Sequence, residues 1–276
     1  MNKNLVVVIP IYKEFENLSD NEKRSMAQCF DILNKRTIVF VCSNSLDTKE
    51  YQAFAQSSQI KISVMRFKNA YFAEISGYNK LMLDQLFYQA FKEFKFMFVY
   101  QLDAWVFRDE LDYWIGKGYD FIGAPLFENF ASNINFKFIQ GLNGGLSLRS
   151  IPSSIKILKK VKQTRNRYNF FKIFAKEGDD HLAKELMKLS FLKKGYIREE
   201  RWLFSILNNT LPNEDYVWSR MFSSTFSSFR VCPSNEALEF SFEYHPSYLY
   251  KINSCKLPMG AHAWEKYEPE FWSRFI

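Results

Sequence analysis

Cysteine and long apolar runs are scarce in this sequence, and both scarcities exclude classes of protein. The four cysteines, at positions 29, 42, 232 and 255 of 276, lie too far apart for a Cys-x-x-Cys metal site and are too few for a disulfide framework. The first apolar run, Leu5–Ile9, is too short for a signal peptide, and no later run reaches the roughly 18 residues of a membrane span. We therefore expect a soluble or peripheral protein in the cytoplasm, with reduced thiols.

Patterns typical of nucleic-acid binding are also absent, although the chain is basic. No helix-turn-helix, zinc-finger or RNP pattern occurs, so nucleic acid is not expected as a partner. The net charge is +7, from 37 Lys and Arg against 30 Asp and Glu, and much of the excess lies between Ile155 and Arg201.

Six basic residues fall within the segment Lys156–Arg167, which predicts contact with an anionic acceptor or a membrane surface. For any single lysine, a solvated helix face is the simpler explanation. If the acceptor is lipid-linked, the aromatic segment Phe271–Phe275 is a second candidate contact, on the inner face of the membrane.

Apolar patterning predicts the fold class. Hydrophobic residues make up 47% of the chain and aromatic residues 18%, enough for a large core. Strands and helices alternate through the first half, with strands predicted at Leu5–Ile9, Thr37–Cys42, Ile60–Phe67, Phe96–Tyr100 and Tyr119–Ile122, and helices at Ser19–Leu33 and Gly77–Phe94. This alternation predicts an α/β fold whose sheet is mostly parallel and twisted, with helices on both faces.

The second half is less regular. It contains a predicted strand near Gly145–Arg149, basic helices between about Ser154 and Leu192, and a turn or helix at Glu214 and Asp215. No repeat or linker divides the chain, so we expect one domain over residues 1–276.

Asp103 directly follows the strand predicted at Phe96–Tyr100. Ligands bind at the carboxyl ends of strands in open parallel sheets, and hard divalent ions such as Mg²⁺ and Mn²⁺ prefer carboxylate oxygens. A helix cap is an equally good explanation of a carboxylate at a strand end.

Two glycines, Gly144 and Gly145, follow Asn143 and precede an apolar strand. Without a Cβ the backbone can approach a ligand such as a sugar ring closely, although an ordinary turn would look the same. The adjacent carboxylates Glu214 and Asp215 follow Pro212, where one of them could serve as a general base or both could simply begin a helix.

His262, one of three histidines, lies in a loop of small residues. A neutral imidazole there could complete a metal site with Asp103, and packing is the plainer alternative.

Taken in order, these motifs resemble the GT-A glycosyltransferases, and most of all a bacterial family of glycosyltransferases known as the domain of unknown function DUF5672. The matching segments span nearly the whole chain and are Val6–Glu14, Gly77–Leu81, Tyr100–Ala104, Asp120–Pro125, Asn143–Arg149, Asn213–Asp215 and Gly260–His262.

The resemblance implies a transfer of sugar from a nucleotide-sugar donor, a UDP-sugar, to a glycan or lipid-linked acceptor. Residues 1–125 would bind the nucleotide and residues 126–276 the acceptor. The donor site it implies comprises Pro10, Ile11, Tyr12, Glu14, Asn79, Gln101, Leu102, Asp103, Asn143, Gly144 and Gly145.

By the same resemblance, Mn²⁺ or Mg²⁺ would be bound by Asp103 and His262, and Asp215 would be the base of an inverting displacement, with Glu214 as the alternative base. The family's Asp-x-Asp element begins here with Gln101 instead of Asp. A glutamine can bind a ribose hydroxyl without charge, so nucleotide binding is expected to survive while the need for a metal becomes less certain. A retaining mechanism stays open if no carboxylate faces the leaving group.

Two other functions remain open from the sequence. A sugar-nucleotide nucleotidyltransferase would share the architecture, but it needs a glycine-rich phosphate loop after the first strand, and Ile11–Phe15 contains no glycine. A catalytically inactive nucleotide- or glycan-binding module is conceivable because of Gln101, whereas Asp103, Asp215 and His262 argue for an enzyme.

Overall fold

A computed structural model describes residues 4–128, 137–174, 181 and 202–276 of the chain. Its strands are β1 (Leu5–Pro10), β2 (Thr37–Ser43), β3 (Ile62–Phe67), β4 (Phe96–Tyr100), β5 (Trp105–Val106), β6 (Phe121–Ile122), β7 (Pro125–Phe127), β8 (Phe138–Leu142), β9 (Leu146–Ser150), β10 (Ser241–Phe242) and β11 (Gly260–Ala261).

The described helices are α1 (Asp20–Ile32), α2 (Lys49–Ser57), α3 (Ile75–Met82), α4 (Gln85–Ala90), α5 (Leu111–Gly116), α6 (Ile151–Phe174), α7 (Leu203–Asn208), α8 (Glu214–Tyr216), α9 (Ser223–Thr225), α10 (Ser234–Phe240), α11 (Pro246–Ile252) and α12 (Pro269–Trp272). A π-helical turn, Val217–Phe222, joins α8 to α9.

The main sheet has six strands in the order β3-β2-β1-β4-β9-β6. The first four are parallel, whereas β9 runs antiparallel to both β4 and β6. Every residue of β1 is buried, as expected for a central parallel strand that is covered on both faces and therefore apolar along its whole length. The predicted α/β class with a mostly parallel sheet is confirmed.

The helix predicted over Gly77–Phe94 is wrong in one respect, because the structure divides it into α3 and α4. Asp84 lies at the break, where its Oδ1 accepts a hydrogen bond from the backbone N–H of Leu86 at 2.9 Å and caps α4. The hydroxyl of Tyr71 donates to the other oxygen at 2.7 Å. The apolar spacing continues through the break, so periodicity alone does not reveal it.

Two smaller sheets lie beyond the main one. Strands β10, β11 and β5 form one and β7 pairs with β8 in the other. The three-stranded sheet ends next to the carboxyl edge of β4, because β11 pairs with β5, which closely follows Asp103 in the chain. This connection brings the chain after residue 240 to the same edge as the first half.

The aromatic residues near the C-terminus pack in and against a second apolar core. Trp272 is fully buried and stacks on Phe107 with ring centroids 6.0 Å apart, and Phe271 is also buried. The suggestion that this segment contacts a membrane is therefore wrong for Phe271 and Trp272, whose apolar area is already used in packing, while Phe275 is only partly buried. None of the described helices is both long and apolar enough to cross a membrane.

The basic segment predicted to be helical lies within α6, and most of the chain predicted as helix beyond Phe174 falls outside the described residues. Along α6, Leu158 and Val161 are buried while Lys156, Lys159 and Lys162 are exposed. The helix therefore has an apolar side that packs on the domain and a basic side that faces outward.

Candidate functional site

A cleft of about 720 Å³ opens at the carboxyl ends of β1 and β4. Parallel strands leave their following loops at this edge, so segments distant in sequence meet there. The sequence-predicted residues that line it are Pro10, Ile11, Tyr12, Asn79, Gln101, Leu102, Asp103, Asn143, Gly144, Gly145, Glu214, Asp215 and His262. The structure thus brings together all but one of the predicted site residues.

The exception is Glu14. It immediately precedes a short 3₁₀ turn (Phe15–Asn17) and lines a separate small hollow with Asp47 and Glu50. The chain turns away from the cleft after Lys13, which does line it. Four carboxylates line that hollow, those of Glu14, Glu16, Asp47 and Glu50, so it is a poor place for a nucleotide phosphate.

His262 is the centre of the polar side of the cleft. Its Nε2 lies 3.2 Å from Oδ1 of Asp103 and 3.2 Å from Oε1 of Gln101. Its Nδ1 lies 3.3 Å from Oε1 of Glu243. A buried imidazole is therefore held between two carboxylates that come from different halves of the chain.

These charges move the pKa values of both groups. Burial alone lowers the pKa of His262, but the carboxylates of Asp103 and Glu243 outweigh burial and raise it to about 10. Burial raises the pKa of Asp103, and the neighbouring imidazolium more than reverses this, so the Asp103 pKa lies below its usual value. At neutral pH, His262 is consequently a cation and Asp103 an anion.

Glu243 was missed by the sequence analysis. It is 3% exposed, and besides His262 it accepts a hydrogen bond from Nδ2 of Asn143 at 3.2 Å. It directly follows strand β10, as Asp103 closely follows β4, so the rule that selected Asp103 would have selected Glu243 had β10 been predicted.

A second buried charge pair lies under the glycines. Arg149 donates from Nη1 to Oε2 of Glu214 at 2.8 Å and from Nη2 to Oε1 at 2.9 Å. The two side chains are 1% and 5% exposed. The remaining guanidinium N–H groups bond to Ser147, Tyr88 and the carbonyl of Gly144. Both oxygens of Glu214 are thus engaged by Arg149.

Gly144 and Gly145 line the cleft, but the space that they leave open is filled by protein. A Cβ on Gly144 would come within 2.5 Å of Oε1 of Glu214, and one on Gly145 would overlap the imidazole ring of His262. We expected the missing Cβ atoms to let the protein backbone approach a ligand closely, but the structure gives a different reason for the two glycines. The missing Cβ of Gly144 leaves room for the Glu214 carboxylate, and that of Gly145 leaves room for the His262 ring.

Asp215 differs from its neighbour because no side chain of opposite charge binds it among the described residues. Its Oδ1 accepts from the backbone N–H of Tyr216 at 2.7 Å, and its carboxylate lines the cleft. Burial, aided by the nearby charge of Glu214, raises the pKa of Asp215 to about 6. A carboxylate with this pKa can accept a proton near neutral pH.

Asn79 connects α3 to the segment that carries both acids. Its Nδ2 donates to Oδ1 of Asn213 at 3.1 Å, and its Oδ1 accepts from the backbone N–H of Glu214 at 3.0 Å. A residue predicted to contact the nucleotide therefore also fixes the start of α8, and with it the position of Asp215.

The residues around His262 fit a divalent cation only in part. Asp103, Gln101 and Nε2 of His262 converge and offer ligands of the kinds that Mg²⁺ and Mn²⁺ accept. Within the part of the chain that the structure describes, however, no group of three or more His, Cys, Asp and Glu side chains is arranged to hold a metal ion. A metal here would need donor phosphates as further ligands, and it would replace the His262 proton.

Comparison with known proteins gives a family. A family model described as "Protein of unknown function (DUF5672)" matches residues 61–262, a range that includes the cleft residues from Asn79 to His262. No curated protein matches the chain in sequence.

Among the solved structures that are similar is a glycosyltransferase involved in the glycosylation of the major capsid of PBCV-1, at 10% identity over 98% of each chain with a TM-score of 0.45. Mouse xyloside xylosyltransferase 1 is 10% identical over 94% of this chain and 96% of its own, with a TM-score of 0.49. For the glycosyltransferase GlyE of Streptococcus pneumoniae TIGR4 the identity is 10%, the coverage is 99% of this chain and 59% of GlyE, and the TM-score is 0.46.

Proposed function

The chain belongs to the DUF5672 family, and we propose that it is a glycosyltransferase that moves a sugar from a nucleotide-sugar donor to a hydroxyl acceptor. The observation that carries the proposal is the cleft itself. It places an oppositely charged pair, Asp103 and His262, in the same cavity as Asp215, a carboxylate whose raised pKa suits a base.

In this proposal the nucleotide of a UDP-linked donor lies against the first half of the chain, residues 1–125. Pro10, Ile11 and Tyr12 form the loop after β1, and Tyr12 is partly exposed with its ring 5.9 Å from that of Tyr78. Such a surface can pack on a base, while Asn79 and Gln101 can hydrogen-bond ribose hydroxyls. Residues 126–276 then contribute the acceptor side.

The donor's diphosphate is placed next to His262. The imidazolium, held protonated by Asp103 and Glu243, stabilises negative charge on the leaving diphosphate. Mn²⁺ or Mg²⁺, bound by Asp103 and His262 together with phosphate oxygens, would supply the same charge stabilisation as a Lewis acid.

Asp215 is the proposed general base. The acceptor oxygen forms a bond to the anomeric carbon, the bond from that carbon to the diphosphate breaks, and the acceptor proton passes to the Asp215 carboxylate. Single displacement inverts the anomeric centre. Glu214 is the weaker candidate, because both of its oxygens already accept hydrogen bonds from Arg149.

Calorimetry with UDP, with and without Mn²⁺, tests the donor site. We expect binding that Mn²⁺ strengthens and that Asp103→Ala weakens. Asp112→Ala is a matched control, since Asp112 lies outside the cleft and is ion-paired with Arg36. Equal binding by wild type and Asp103→Ala would reject this donor site.

Hydrolysis and transfer assays with a panel of nucleotide sugars separate the alternatives. Release of UDP with sugar transferred supports the proposal, whereas consumption of a nucleoside triphosphate and a sugar phosphate would indicate a nucleotidyltransferase. Binding without turnover would indicate an inactive module. An anomeric configuration unchanged in the product would exclude the single displacement.

A further inference from the structure

A groove runs along the outer side of the cleft, between α3 and α4 on one side and α6 on the other. It consists of an inner hollow of about 350 Å³ and an outer hollow of about 670 Å³. The two are adjacent, and they share the lining residues Lys80, Leu83, Leu158, Val161 and Arg165.

The inner hollow adjoins the cleft. Asn79 and Asn213 line both cavities, and their side chains are joined by a hydrogen bond. Asp215 lies on the cleft side, two residues after Asn213. A molecule that reaches Asp215 with one end can therefore extend into the groove with the rest.

Three cations line the groove: Lys80 on α3, and Lys162 and Arg165 on α6. None of them forms an ion pair with another of the residues that the structure describes. The carboxylate that lines the outer hollow, Asp84, already accepts hydrogen bonds from Tyr71 and from the backbone of Leu86. The groove therefore carries positive charge that is free to meet an anion.

Arg165 gives the strongest indication that the groove binds an anion. Its Nε donates to the backbone carbonyl of Ile206 at 2.6 Å, which fixes the guanidinium against α7. Its Nη2 is buried and has no hydrogen-bond partner among the residues that the structure describes. A buried charged donor without an acceptor is costly, and an anionic group in the groove would satisfy it.

The remaining lining suits a carbohydrate. Leu158 and Val161 are buried and form an apolar floor, against which the C–H faces of a sugar ring can pack. The outer hollow is edged by four side-chain amides, those of Gln85, Gln89, Asn166 and Asn169. Amides both donate and accept hydrogen bonds, as hydroxyl groups require. A concave lining of this kind fits a chain of sugars better than a flat membrane surface.

We propose that this groove binds the acceptor and that the acceptor is an acidic oligosaccharide, one that carries carboxylate or phosphate groups. The proposal rests on the proposed transferase function and adds the class of acceptor. The acceptor's terminal hydroxyl lies at Asp215, and its acidic groups lie along Lys80, Lys162 and Arg165.

Calorimetry with short oligogalacturonates, phosphorylated malto-oligosaccharides and neutral malto-oligosaccharides tests the proposal in the presence of UDP. We expect an acidic probe to bind and the neutral one to bind at least about tenfold more weakly, with affinity falling as salt is raised. Whichever acidic probe binds better identifies the acidic group.

Variants locate the binding. Arg165→Gln should weaken the acidic probe about tenfold, because it removes a charged hydrogen bond. Lys162→Gln and Lys80→Gln, which leave the Ile206 contact intact, should each weaken it about threefold. Lys156→Gln and Lys159→Gln are matched controls, since both lysines are exposed on α6 but do not line the groove. They should change affinity little.

Equal binding of acidic and neutral probes, or equal effects of the groove and control substitutions, would overturn the proposal. Binding to anionic phospholipid vesicles would also overturn it, in favour of a membrane surface, if the groove and control substitutions weaken that binding equally. UDP binding is measured on the same samples. If UDP binds and the groove variants do not matter, only the acceptor assignment fails, whereas absence of UDP binding counts against the transferase itself.

Discussion

The two walls of the cleft are built from different chemistry. The wall from the first half presents mostly neutral side chains at the ends of parallel strands and on α3, among them Tyr12, Asn79 and Gln101. The wall from the second half is backed by buried charges, with Arg149 paired to Glu214 and His262 held by Glu243. Asp103 belongs to the first wall in sequence, but it makes its charged contact with the second.

This difference suggests separate roles for the two walls, with donor binding at the first and the reaction at the second. Neutral amides and aromatic rings can bind a nucleotide without any change in their charge. Buried charged groups, in contrast, shift the pKa values of the ionisable groups around them. In the second wall, one acid is tied to Arg149 and its neighbour is left to accept a proton. The comparison therefore predicts that changes in the second wall alter turnover or stability far more than donor binding.

Asp215→Asn should give the largest effect. The change keeps the shape of the side chain but removes the proton acceptor, so turnover should fall by about 10²–10⁴-fold while UDP binding and thermal stability stay near those of the wild type. Steady-state transfer kinetics and calorimetry on the same preparation check this. Near-normal turnover would show that another group accepts the proton.

Glu214→Gln should act on stability. It leaves the guanidinium of Arg149, which is 1% exposed, without its buried counter-charge, and loss of one partner of such a pair typically costs about 3–5 kcal/mol. Urea denaturation measures the loss. The double change Arg149→Met with Glu214→Leu removes both charges and should recover much of the stability. If Glu214→Gln instead lowers turnover with no loss of stability, the two acids have exchanged roles.

Much of the first wall could be predicted from sequence because its signals are local. The continuous apolar run of β1 and the run that ends before Asp103 define strands by themselves, and the convergence of parallel strand ends then groups their loops. The second wall depends on pairs distant in sequence: Arg149 meets Glu214 across 65 positions, and Glu243 is found only once the two-residue strand β10 is known. The reason for the glycines was missed in the same way, since only the fold reveals what fills the space beside them.

Gly145→Ala should give an intermediate effect. The added Cβ would overlap the ring of His262, which is buried between Asp103 and Glu243 and has little room to move. Overpacking of this kind typically costs about 1–3 kcal/mol in the free energy of unfolding. Gly116→Ala is the matched control, because no atom lies within 4 Å of a Cβ there, and it should leave stability unchanged or slightly higher. Equal melting temperatures for the two variants would mean that His262 can move aside.

A change of pH should have the smallest effect on activity, but it should distinguish the roles of the two walls most clearly. Burial and the charge of Glu214 raise the pKa of Asp215 to about 6 in the folded protein. A general base acts only when it is deprotonated, so kcat/KM should rise about tenfold between pH 5 and pH 7 and then level off. A carboxylate with an ordinary pKa of about 3.9 would already be ionised at pH 5 and would give a nearly flat profile.

Neither Asp103, whose pKa is lowered, nor His262, whose pKa is about 10, changes charge in this range. Binding of an intact nucleotide sugar, measured without added divalent metal, should therefore stay constant over the same interval. A flat kcat/KM profile would remove Asp215 from the role of base, and a donor affinity that follows the rise in kcat/KM would show that the two walls do not act separately.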